Sequence, residues 1–99
     1  MIKMELVKFS EAYSLFDKKG DWTTSGSVTV DANGNKVINI NTQMQEVEGE
    51  GYISIGSACF QEDTEHRVQT QFSFENAYKE DFVDYCEEIY NEVLARLNK

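Results

Sequence analysis

From Trp22 to Phe74 the chain alternates apolar and polar residues in four runs, and each run stops at a short polar or glycine-bearing link. A period of two belongs to strands with one buried face. In the first run Trp22, Thr24, Gly26, Val28 and Val30 share one side, and Thr23, Ser25, Ser27 and Thr29 take the other. The link that follows contains Asn33-Gly34, a strong hairpin signal because both residues tolerate positive φ. Ile38, Ile40, Thr42 and Met44 then point to the core, with Val37, Asn39, Asn41 and Gln43 opposite. The third run places Ile53, Ile55, Ser57 and Cys59 inward and Tyr52, Ser54, Gly56, Ala58 and Phe60 outward. The fourth sets Val68, Thr70, Phe72 and Phe74 against Gln69, Gln71 and Ser73. Links this short join neighbours, so the runs predict a four-stranded antiparallel meander.

Helical spacing flanks the strands. Ile2, Leu6, Phe9, Tyr13 and Phe16 step by four, three, four and three, which predicts an N-terminal helix ended by Gly20. A shorter helix capped by Ser10, with an extended stretch before it, fits the same residues. At the C-terminal end Asn76 is the expected N-cap, and Phe82, Cys86, Ile89, Val93 and Leu97 form one stripe flanked by Tyr78, Val83, Tyr90 and Leu94. Glu80, Asp81, Asp84, Glu87, Glu88 and Glu92 share the opposite arc. Both helices should cover the apolar sheet face, giving an α+β, two-layer αββββα fold. At 99 residues the chain, 1–99, is a single domain.

Charge is unevenly spread. The net charge is -9, from 18 acidic and nine basic residues. Residues 1–41 balance five acids with five lysines, whereas Thr42 to Glu65 holds six acids and no base. Such patches repel nucleic acid and lipid headgroups and steer in basic partners. No run approaches the roughly 18 apolar residues of a membrane span. The opening residues alternate apolar positions with Lys3, Glu5 and Lys8, unlike a signal peptide. The expected setting is the cytoplasm, that of a host cell if the chain is phage-encoded.

Two surfaces stand out as partner-binding candidates. One is acidic: Glu46, Glu48, Glu50, Glu62, Asp63 and Glu65, together with the helical arc, could imitate the charge density of a nucleic acid backbone. The other is the outward sheet face, marked by Asn39, Asn41, Tyr52, Gln69 and Gln71, where no charged residue falls although the chain is rich in them. Neutral amides and hydroxyls can be covered without the desolvation cost of a buried charge. The bland alternatives are a solubilising helix face and a solvated sheet. Catalysis has no assembled nucleophile, base and orienting group: His66 is the sole histidine, beside Arg67. A metal set of Asp63, Glu65 and His66 lacks the Asp-x-Asp-x-Asp-Gly spacing of calcium loops, so neither a metal nor a cofactor is expected. Cys59 and Cys86 both fall on core-facing positions and are expected as inert buried thiols.

The segment Gln45-Glu46-Val47-Glu48-Gly49 resembles the Gln-x-Val-x-Gly loop of cystatins, and that resemblance implies protease inhibition through a hairpin connection. The chain departs from the family in having no proline, hence no Pro-Trp loop, and in its long C-terminal helix. In size, acidity and compactness it resembles phage-encoded anti-defence proteins, including some anti-CRISPRs. Immunity proteins against basic nuclease toxins share the same charge pattern. The expectation is therefore a small acidic non-enzymatic inhibitor, a nucleic-acid mimic that occupies a basic surface of a nuclease or other nucleic-acid-handling protein. The alternative is an assembly protein that self-associates through the uncharged sheet face, for example as a homodimer.

Overall fold

The computed structural model describes residues 4–9, 12–45 and 51–97. Six strands run in chain order, β1 (Glu5–Phe9), β2 (Ala12–Lys19), β3 (Trp22–Val30), β4 (Lys36–Gln45), β5 (Tyr52–Glu62) and β6 (Val68–Phe74), and each pairs antiparallel with the next. A 3-10 turn, Asn76–Tyr78, leads into one helix, α1 (Lys79–Leu97), which packs on one sheet face. Among the described residues the sheet thus has six strands where four were expected, and one helix covers it where two were expected. Among the described residues no helix is long and apolar enough to cross a membrane.

The expected N-terminal helix is overturned by the hairpin β1–β2 and its pairing with β3. Tyr13, Leu15 and Asp17 lie opposite Val28, Gly26 and Thr24, whereas Ser14, Phe16 and Lys18 lie opposite Ser27, Ser25 and Thr23. Leu15 is wholly buried and its neighbour Phe16 is 47% exposed, which a shared helical stripe through Tyr13 and Phe16 does not allow. The physical cause is Gly20. It has φ +59° and occupies the first position of a two-residue turn between the facing residues Lys19 and Trp22. Positive φ suits the end of a helix and the first position of a II′ hairpin equally well. Here the edge of β3, which β2 pairs along its whole length, settles the choice.

Two hairpin loops at the same end of the sheet are built alike. In the first, Asp31 Oδ1 accepts the backbone N–H groups of Asn33 (2.8 Å) and Asn35 (2.9 Å), and Gly34 carries φ +94°. In the second, Asp63 Oδ1 accepts those of Glu65 (2.8 Å) and Arg67 (3.0 Å), and His66 carries φ +66°. Asn33 is not in the left-handed region, so the expected Asn-Gly turn is replaced by an aspartate-clamped loop. The carboxylate satisfies N–H groups that the turn would leave bare.

A bulge in β5 inverts its later half. Thr42 faces Gly56 while Gln43 faces Ser54, so Ile55 is the extra residue. Beyond it Gly56, Ala58 and Phe60 turn inward and Ser57, Cys59 and Gln61 turn outward, the reverse of the expectation for Ser57, Cys59, Gly56, Ala58 and Phe60. The space there is closed by the Ser73 backbone carbonyl and by the Phe82 ring of α1, which a Gly56 Cβ would meet at 2.6 and 2.9 Å. Only glycine permits that approach, and a bulge there lets Ile55 and Gly56 both face the core.

The core between sheet and helix consists of Leu15, Val28, Ile38, Ile40, Ile55, Ala58 and Phe60 against Phe82, Tyr85, Cys86, Ile89 and Val93, with Met4 at its margin. The stripe expected for α1 is present, extended by Tyr85. Asn76 is not its N-cap; it opens the 3-10 turn after Glu75, which offers no side-chain cap.

Candidate functional site

The outward sheet face is a grid fixed by strand register. One cross-sheet row runs Ser14, Ser27, Asn39, Cys59 and Gln71; the next runs Phe16, Ser25, Asn41, Ser57 and Ser73. Flanking rows add Thr29, Val37, Gln61 and Gln69 on one side, and Lys18, Thr23, Gln43 and Ser54 on the other. From β3 to β6 the grid holds no charge, and Lys18 stands at a corner. Asn39, Asn41, Gln69, Gln71 and Tyr52 are all exposed, as the sequence implied. The face is not flat. A concavity of about 560 Å³ lies over β4, β5 and β6, floored by backbone and rimmed by Asn39, Asn41, Ser57, Cys59, Gln71 and Ser73. Sequence reasoning missed Ser57 and Cys59 because the bulge changed their parity. It also missed Phe16, whose exposure becomes visible only once β2 is read as a strand.

The acidic residues separate into two groups. Glu62 is held by Lys36 Nζ at 3.3 Å and by the hydroxyl of Tyr90, which donates to it at 3.0 Å, with His66 Nδ1 3.9 Å away. Asp63 clamps its loop, Glu65 pairs with Arg67 at 2.9 Å, and Glu92 pairs with Arg96 at 2.9 Å. These four carboxylates serve the fold locally. By contrast Glu80, Asp81, Asp84, Glu87 and Glu88 are exposed on the solvent side of α1, and among the described residues none has a cation within ion-pair distance. Glu46, Glu48 and Glu50, with the rest of the cystatin-like segment after Gln45, lie outside the described residues.

The two thiols lie on opposite faces of the sheet. Cys86 is buried among core side chains, and burial pushes its thiol up to about 12, so it stays protonated at neutral pH. Cys59 is half-buried on the outward face rather than in the core. His66 stands exposed in its loop, and the side chain of Asp63 is spent on backbone N–H groups.

A polar relay crosses the core. Tyr85 Oη lies 2.5 Å from Asp17 Oδ2 and 2.9 Å from Thr24 Oγ1, and Thr24 Oγ1 lies 2.8 Å from Thr42 Oγ1. The single phenolic proton goes to the carboxylate. The threonine hydroxyls then complete the chain, Thr42 donating to Thr24 and Thr24 to Tyr85. Burial, and then the Asp17 hydrogen bond, push the Tyr85 phenol above its ordinary range. The relay joins α1 to β2, β3 and β4, and sets the helix with its carboxylates outward. No known protein family, curated protein or solved structure matches the chain.

Proposed function

We propose that this chain is a small non-enzymatic binding protein that lays the carboxylate arc of α1 against a basic surface of a nucleic-acid-handling protein and so inhibits it. The observation that carries the reading is the division of the acids: Glu62, Asp63, Glu65 and Glu92 are engaged within the fold, while Glu80, Asp81, Asp84, Glu87 and Glu88 are left to solvent on one arc. At 1.5 Å rise per residue those five charges span about 12 Å, a mean step of roughly 3.0 Å. Duplex DNA carries one per roughly 1.7 Å of axis and a single strand one per roughly 3.4 Å. Repelling charges one turn apart cost a helix stability, which favours a role in binding over a neutral surface. An anti-defence protein of the anti-CRISPR kind and an immunity protein for a basic nuclease both fit this surface.

The test is affinity capture from the source cell, with the parent and the triple variant Asp84→Lys, Glu87→Lys, Glu88→Lys as baits. The parent should retain a basic nucleic-acid-binding protein that is released by salt and absent from the variant's catch. Identical catches from both baits would refute the reading.

A further inference from the structure

The exposed Phe16 and the concavity on the outward face are a matched pair. Phe16, Ser25, Asn41, Ser57 and Ser73 are successive partners across β2 to β6, so the phenyl ring shares a row with one rim of the concavity, whose floor is the adjacent row Ile40, Ala58 and Phe72. The concavity is centred on β5, three strands from β2. The line midway between them runs along the β3–β4 pair, which is also the middle of the six-stranded sheet. A two-fold axis on that line, lying in the plane of contact, carries Phe16 of one copy onto the concavity of the other. The same rotation stacks β3 on β4 and leaves no strand unmatched. We infer that two copies of this chain associate face to face through the outward sheet surface, each seating its Phe16 in the concavity rimmed by Asn41, Ser57 and Ser73 of the other.

Three further observations commit the face to a second copy. The first is area. Strands β2 to β5 each show four outward residues and β6 shows three, and at spacings of about 4.8 Å between strands and about 6.7 Å along them these offer roughly 610 Å² per copy. The pair then buries about 1,200 Å², at the lower end of the range of specific protein interfaces. The second is hydrogen-bonding character. Hydroxyls and amides both donate and accept, so the surface is complementary to itself under a two-fold axis. The third is charge. With a net charge of -9, two copies repel in most orientations. Stacking sheet on sheet places the two carboxylate arcs on opposite outer surfaces, about 30 Å apart across two helices and a sheet spacing of about 10 Å. That separation is several times the screening length of roughly 8 Å at physiological salt. Lys18 falls at a corner of the face and Glu5, the β1 partner of Phe16, on its edge strand, where a charge keeps its water.

This inference is independent of what the α1 arc binds, since that arc faces away from the contact. The experiment is sedimentation of the purified chain, beside Phe16→Lys and a Phe16→Cys, Ser57→Cys variant in a Cys59→Ser background. The parent should sediment at twice 11.4 kDa. Phe16→Lys should weaken the dimer by at least about 30-fold, as loss of a central aromatic anchor does, while its circular dichroism spectrum stays that of the folded parent and its melt no longer depends on concentration. Within one copy residues 16 and 57 stand three strands apart, about 14 Å, too far for a thiol crosslinker of roughly 8 Å reach, whereas cysteines that face each other across sheets about 10 Å apart lie within it. A short bismaleimide should therefore give a covalent dimer of the double-cysteine variant. A parent that sediments at 11.4 kDa throughout the micromolar range overturns the inference. So does a parent dimer whose double-cysteine variant forms no intermolecular bond, because that dimer would use another surface.

Discussion

The phenol of Tyr85 donates a 2.5 Å hydrogen bond to the carboxylate of Asp17, 68 positions earlier in the chain. The bond fixes where α1 lies along the sheet, because Tyr85 is wholly buried and Trp22 packs edge-on against its ring at 5.8 Å. Tyr85→Phe would keep the ring and strand the carboxylate and the Thr24 hydroxyl without their partner. The expected loss is about 1–3 kcal/mol of stability, the usual cost of leaving such groups unsatisfied, measured by urea denaturation at neutral pH.

Alkaline pH should weaken the fold. Burial raises Tyr85 above its ordinary value of 10.0 and raises Cys86 from 9.0 to about 12, and burial with the Glu62 hydrogen bond takes Tyr90 to about 12. Each group holds its proton more tightly when folded. Its stabilisation is complete below the unfolded value and declines as pH rises through the folded one. The urea midpoint should therefore drop from about pH 9 upward, and Cys86→Ala should flatten the start of that fall.

Acid acts through a different group. Hydrogen bonds from Asn35 and from the loop's backbone N–H groups hold the Asp31 carboxyl below its ordinary 3.8. Its contribution is present above that value and is lost as pH falls through the lower folded one. Asp31→Asn should remove this part of the acid transition in a melt followed as a function of pH.

His66 sits at φ +66° in the loop position that Gly34 fills in its counterpart. A left-handed backbone costs a residue with a Cβ roughly 1–2 kcal/mol. His66→Gly should relieve about 1 kcal/mol and raise the melting temperature by roughly 4–8 °C, and Gly34→Ala should lower it. A scanning calorimetry comparison of the two variants decides the matter.

What could be read from the sequence depended on whether one side chain's period decided the outcome. The α1 stripe was legible because Phe82, Cys86, Ile89 and Val93 recur at helical spacing and all are buried. The alternation in β3, β4 and β6 was equally plain. Between Ile2 and Phe16 two periods overlapped: the same residues gave a helical stripe and, from Tyr13 onward, a strand. Only pairing with Thr23 to Thr29 distinguishes them. Ile55 carried no mark of a bulge except the glycine after it, and the need for that glycine lies in the Ser73 carbonyl and the Phe82 ring, both farther along the chain. The uncharged face was foreseen at Asn39, Asn41, Tyr52, Gln69 and Gln71, but its concavity depends on Ser57 and Cys59, which the bulge delivers. Among the acids, composition could not separate those spent on the fold from those on the α1 arc, because their partners Lys36, Tyr90 and Arg67 are set by tertiary structure.

Asp84 tests that separation from the side of stability. It has Glu80 and Glu88 four residues away and Asp81 and Glu87 three residues away. Asp84→Lys would replace four repulsions with four attractions, each worth a few tenths of a kcal/mol. Thermal unfolding should show a variant stabilised by roughly 1–2 kcal/mol.

Arg96 donates from its guanidinium to the carbonyl of Met4 at 2.5 Å, a contact that spans 92 positions. The helix that closes the core also ties down the first strand, and it follows all six strands in order of synthesis. Until α1 leaves the ribosome, Leu15, Val28, Ile38 and Ile40 have no cover, and β1 has no anchor. Each strand pairs with its neighbour in sequence, so the sheet's own contacts are local, but closing the core must wait for the whole domain. A chain cut short before Phe82 would be an open apolar sheet with a neutral reverse side, and its fate in a cell would be aggregation or degradation.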